Sequence, residues 1–139
     1  MQSATRTAPV SKARLWAGRI ISGLVVLFLL FDGGAKVMKA APVLQASTEL
    51  GIPESAIPGI GLVLIVCAVT YAIPSTSVLG AILLTGYLGG ATATHVRVGG
   101  PAFPVVFAVG FGVLVWLGLF LREDRLRALL PLREVGGRG

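Results

Sequence analysis

Charge is scarce in this chain of 139 residues: 13% are Asp, Glu, Lys or Arg, while 55% are hydrophobic. With a mean hydropathy of +0.87, so little charge excludes a water-soluble domain of this size and points to an integral membrane protein. Cysteine is equally rare. Cys67 stands alone inside an apolar run, which excludes an intrachain disulfide and a CxxC redox pair. Its expected role is that of a small apolar core residue. His95 is the only histidine, and without acidic or sulfur neighbours it makes a poor metal site, so no metal is expected. No nucleophile–base triad, phosphate loop or haem ligand pair is visible.

Long apolar runs fill the space that charge leaves. Four stand out: "LWAGRIISGLVVLFLLF" at 15–31, "IPGIGLVLIVCAVTYAI" at 57–73, "STSVLGAILLTGYLGGATAT" at 75–94 and "AFPVVFAVGFGVLVWLGLFL" at 102–121. At about 1.5 Å rise per residue, each approaches the roughly 30 Å needed to cross a hydrocarbon core as a helix. The fold class expected is therefore all-α, a four-helix bundle in the membrane, with the domain over 14–125 and tails at 1–13 and 126–139. The polar ends, 1–13 and 134–139, are expected to be mobile.

The net charge of +6 does not signal nucleic acid, because the basic residues flank the spans instead of forming a patch with interleaved aromatics. Arg6, Lys12, Arg14, Arg19, Arg122, Arg125, Arg127, Arg133 and Arg138 all lie in the tails or at the start of the first span. Lys36, Lys39 and Arg97 lie between spans. With an even number of spans, this asymmetry places both tails in the cytoplasm. The turn "PSTS" at 74–77 is then cytoplasmic and so short that spans two and three are antiparallel neighbours. Trp16, flanked by Arg14 and Arg19, has the character of an interfacial anchor. No convincing small-x-small site follows the first span, so it is expected to stay on the chain and not be cleaved as a signal.

Between the first two spans, "APVLQASTELGIP" has Pro42 near a helix start, Gly51 placed for a C-terminal cap and Pro53 beyond it. Val43, Leu44, Ser47 and Leu50 recur at helical spacing. A short amphipathic helix is expected on the outer surface, capping the bundle or docking a partner. Gly86 and Gly90 are four apart, as are Gly89 and Ala93, a spacing that lets helices approach closely in lipid. They are expected at a helix contact, inside one bundle or between copies.

Asp32 lies inside the first span, where a carboxylate needs a cationic partner or a wet cavity. Lys36 sits one helical turn later. The intervening Gly33 and Gly34 leave two readings open: a helix weakened near its end, or a smooth surface against which something packs. The end of the third span, with His95 and Arg97, emerges on the same outer side. The candidate polar pocket is thus Asp32, Lys36, Tyr87, Thr92, His95 and Arg97, with Thr94 beside Thr92. It serves either as an interhelical lock or as a ligand site.

The order of these features resembles the DoxX-like family of small bacterial membrane proteins over about residues 17–125. The resemblance rests on "GGAKVMK" at the end of the first span, "ELGIPE", "GIGLVLIVCAVTYAIP" and above all "GYLGGATATHVRVGGP". It implies four transmembrane helices in the bacterial plasma membrane and marks Lys36, Gly51, Pro53, His95 and Arg97 as family positions. Some relatives are named as subunits of quinone-linked thiosulfate oxidation. Many also carry an acidic residue in the second span. Here "GIGLVLIVCAVTY" has none, which weakens a proton relay or a redox mechanism built on a mid-membrane carboxylate. The expected function is a non-catalytic accessory or subunit of a membrane complex. The alternatives are a quinone-binding oxidoreductase subunit and a carrier of a small apolar molecule. Membrane lipid is the expected partner, with a protein partner or a second copy as further candidates.

Overall fold

The computed structural model describes residues 12–129. Six helices follow in order: α1 (Lys12–Val37), α2 (Ala41–Glu49), α3 (Ile57–Ala72), α4 (Ser77–Val98), α5 (Phe103–Arg122) and α6 (Asp124–Leu129), with short 3-10 turns at Glu54–Ala56 and Pro74–Thr76. Four helical stretches, Lys12–Val37, Glu54–Ala72, Pro74–Val98 and Phe103–Arg122, are long and apolar enough to cross a membrane. The chain is an all-α membrane helical bundle. The expected mobile tails lie outside the described residues, apart from Lys12 and Ala13, which open α1. At the other end α6 extends beyond the expected boundary at 125, and Leu126 joins the core.

Helix ends follow the local chemistry. Prolines occupy the first turn of α2, α3 and α5, where a missing N–H costs nothing. Gly51, at φ +74°, closes α2: its N–H donates to the carbonyl of Thr48, and that of Ile52 to the carbonyl of Ser47 at 2.9 Å. This 5→2 and 6→1 pair leaves few orphan carbonyls at the helix end. Gly99, at φ +77°, ends α4 similarly.

α1 packs on α3 and α5, and α4 packs on the same two, so α1 and α4 lie across one diagonal of a four-cornered bundle. The core, built on Val25, Leu29, Leu64, Cys67, Ala68, Tyr71, Ala81, Leu84, Val115 and Leu119, runs along the axis. Cys67 is buried there as a small apolar side chain. Large apolar residues face outward on every span, among them Leu24, Phe31, Leu62, Val66, Ile82, Val106 and Val113. A helix apolar on all faces belongs in lipid, and only this solvent makes such a surface stable.

Glycine sets three of the four seams. A Cβ on Gly18 would stand 2.8 Å from the Gly118 carbonyl oxygen, joining α1 to α5, and one on Gly61 would stand 2.6 Å from that of Gly33, joining α1 to α3. On α4, Gly80 lies against the Tyr71 backbone of α3. Small residues at these points bring backbones close enough for dispersion contacts to hold the bundle without help from water. The α4–α5 seam has no such approach. A Cβ on Gly86, Gly89 or Gly90 would meet nothing within 4 Å. Within the chain, the close contacts expected of these three glycines are made by other glycines.

Candidate functional site

The bundle has two polar ends. At the end where α1 starts and α5 finishes, polar side chains link four helices. The Tyr71 hydroxyl donates to the Val115 carbonyl at 2.7 Å, and the Ser22 hydroxyl lies 3.1 Å from it. Since the phenol has one hydrogen and a carbonyl cannot donate, Ser22 donates to Tyr71. Arg122 donates from Nε to Ser22 Oγ at 3.1 Å and from Nη2 to Ser77 Oγ at 3.4 Å, with its guanidinium 5.4 Å from the centre of the Tyr71 ring. Ser77 in turn shares its single hydroxyl hydrogen between the backbone carbonyls of Tyr71 and Ile73. This knot is structural: its donors and acceptors satisfy each other. Nothing in the spacing of Ser22, Tyr71, Ser77 and Arg122 along the chain signals it, because the four come from four helices.

The opposite end is open. A cavity of about 720 Å³ lies between the ends of α1, α4 and α5, roofed by the inner face of α2 through Val43, Ser47 and Leu50. Capping is thus what the amphipathic helix does. The helix α1 runs unbroken through Gly33 and Gly34. Gly33 packs on Gly61 and Ile65, whereas Gly34 has open space around it, so the smooth-surface reading holds at Gly33. Asp32 therefore sits within an intact helix, where Lys36 donates to its carboxylate. With 20% of the Lys36 side chain and 34% of that of Asp32 exposed, the pair faces the cavity without being sealed from it.

Tyr87 and His95 line the same cavity, and neither side chain makes a hydrogen bond among the described residues. Asp32, Lys36, Tyr87 and His95 are thus brought together. The other two expected members are not. Thr92 lies in a shallow apolar groove on the outer side of the α4–α5 seam, and its hydroxyl donates to the Leu88 carbonyl of its own helix. At about 100° per residue, Thr92 is turned roughly 140° from Tyr87, whereas Ala91, Thr94 and His95 stay near the Tyr87 face. Thr94, not Thr92, lines the cavity. Arg97 is exposed and donates to the Leu50 carbonyl at 3.2 Å, tying α4 to the end of the α2 roof. It enters no ion pair with Asp32.

Four phenylalanines complete the lining. Phe103, Phe107 and Phe111 recur every fourth residue on α5, and Phe28 of α1 joins them: ring centres are 4.7 Å apart for Phe28 and Phe111, 4.9 Å for Phe107 and Phe111, and 5.5 Å for Phe28 and Phe107. These tilted pairs fall in the range of favourable ring contacts. The i, i+4, i+8 pattern is present in the sequence, but in an apolar span it is indistinguishable from lipid-facing residues. The cavity therefore joins an aromatic wall to polar groups able to donate or accept a hydrogen bond.

A model of the DoxX-like family matches residues 20–118. The chain belongs to the DoxX-like family. The matched residues take in the whole lining of the cavity, its α2 roof included, whereas Arg122 of the knot lies beyond them. No curated protein and no solved structure matches the chain.

Proposed function

We propose that this DoxX-like protein is a non-catalytic membrane subunit that holds a lipophilic molecule with a neutral polar head, of quinone type, in the cavity beneath α2. The observation that carries this reading is the pairing of a phenylalanine wall with Tyr87, His95 and the Lys36–Asp32 pair around about 720 Å³. That volume falls within the roughly 300–1,000 Å³ typical of small-molecule sites. Lys36 is already neutralised by Asp32, so the site favours an uncharged head over a carboxylate or phosphate. A quinone carbonyl needs only one or two donors, and His95 and Tyr87 supply them.

The test is thermal unfolding of the purified protein with and without dimethylnaphthoquinone. At a hundred times its dissociation constant, a ligand of the folded state stabilises by about 2.7 kcal/mol, an easily measured rise in Tm. That rise is expected in the native sequence and is expected to shrink in His95→Ala. A folded protein whose Tm ignores saturating quinone would overturn the reading and leave a purely structural accessory.

The same proposal places the protein in a bacterial plasma membrane with both termini cytoplasmic, supported by the concentration of Lys and Arg at the terminal end. In a Cys67→Ala background, cysteines at Ser3 and Gly137 are expected to resist an impermeant thiol reagent in intact cells. One at Gln45, on the exposed face of α2, is expected to react. Ser47 does not serve this purpose because it is buried. Labelling of either terminus reverses the topology.

A further inference from the structure

Glycines on the packed seams have an evident cause, since a Cβ at Gly18, Gly61 or Gly80 would collide with the neighbouring helix. Gly86 and Gly90 have none of this. Both line the cavity, and a Cβ on either would meet nothing within 4 Å. Glycine weakens a helix interior relative to alanine, so the fold by itself gains nothing from these two. They stand one turn apart on α4, which lies across the bundle diagonal from Phe28 of α1, while Phe107 and Phe111 hold the adjoining wall.

We infer that Gly86 and Gly90 are specificity-determining residues of this cavity: they keep the α4 wall bare so that a flat ring can lie between it and the phenylalanines of α1 and α5. The inference rests on the ligand-binding reading above and adds to it the shape that the site selects. Phe28, Phe107 and Phe111 already stack in tilted contacts of 4.7–5.5 Å, and a ring entering beside them extends the series. A flexible chain would gain little from such a wall. Any side chain at position 86 or 90 would occupy the space of the ring. Gly89 supplies a built-in contrast, since it lies on the same helix but lines the groove on the outer side.

The test compares dimethylnaphthoquinone with a straight-chain methyl ketone of similar size, which has a carbonyl but no ring, by titration against the purified full chain. The native protein is expected to bind the quinone at least about tenfold more tightly than the ketone. Gly86→Leu and Gly90→Leu are expected to weaken quinone binding by about tenfold or more, the scale on which a pocket resists added methylenes. Their Tm without ligand is expected to be no lower than that of the native protein, and Gly89→Leu is expected to bind the quinone normally. Native affinity in Gly90→Leu, a fall in the ligand-free Tm of both variants, or equal binding of ring and chain would each overturn the inference while the binding reading stands. If the native protein binds neither probe, that reading falls and takes this inference with it.

Discussion

The two ends of the bundle use polar residues in opposite ways. At the terminal end, Ser22, Tyr71, Ser77 and Arg122 satisfy one another across four helices. At the other end, Tyr87 and His95 face a cavity with no partner among the described residues, and the ion pair that lines it is confined to a single helix turn of α1. The seams differ in the same sense, because glycine brings α1, α3, α4 and α5 into contact everywhere except where α4 meets α5. Closing one end tightly is what lets the other stay open: a bundle fixed by its knot and three close seams tolerates a fourth seam that encloses space. Stability and function are therefore expected to respond to mutation at different ends.

The largest effect should come from the knot. Tyr71 is fully buried, so Tyr71→Ala removes an aromatic side chain and two hydrogen bonds at once. A loss of about 3–5 kcal/mol is expected in unfolding from detergent micelles. The matched change at the open end, Phe107→Ala, removes a ring that is 39% exposed and already borders empty space, so a cost of about 1 kcal/mol or less is expected. Equal losses would break the contrast by showing that both ends are packed alike.

Arg122→Ala comes next. It strips Ser22 and Ser77 of a charged donor and uncovers the Tyr71 ring, for about 1–2 kcal/mol, since the guanidinium is only partly buried. Conservative replacement by lysine should restore little, because an ammonium cannot span both hydroxyls as the planar fork does. Full rescue by lysine would mean that charge, not geometry, holds the knot together.

The number and class of the membrane-spanning helices, though not α6, were legible in the sequence because apolar runs, flanking prolines and cap glycines act locally. So were the α2 roof, from Val43, Leu44, Ser47 and Leu50, and the Asp32–Lys36 pair, which needs only helical spacing. The knot was not, because in a lipid-facing chain a serine or tyrosine carries no mark of which neighbour it will meet. Nor did the sequence distinguish packing glycines from open ones: Gly61 and Gly90 look alike until the neighbouring helix is in place. Thr92 failed as a pocket residue through helical phase, a turn of roughly 140° from Tyr87.

The Asp32–Lys36 pair sharpens the comparison because it lies at the open end yet is fully formed. Asp32→Ala and Lys36→Ala are each expected to destabilise, and the double variant to recover part of the loss, with a coupling of about 1 kcal/mol. That figure lies above the value of an exposed pair and well below that of a sealed one, in keeping with the part exposure of both side chains. Additive losses would show that the pair contributes nothing beyond its separate residues.

The smallest effect on stability is expected where the effect on binding is largest. His95 is half-buried, lines the cavity and makes no hydrogen bond among the described residues, so His95→Ala leaves no partner stranded. Its ligand-free unfolding free energy should stay within about 0.5 kcal/mol of the native value, as for a substitution that breaks no cap, core contact or network. Its affinity for dimethylnaphthoquinone should fall by about tenfold, the equivalent of roughly 1.4 kcal/mol for one lost hydrogen bond in an apolar slot. Arg97→Ala provides the control on the same helix end. It releases the Leu50 carbonyl, so faster amide exchange in α2 is expected, with a smaller loss of affinity than His95→Ala. If His95→Ala instead lowers the ligand-free Tm by many degrees and leaves binding intact, the histidine locks the helix ends, and the open end is structural after all.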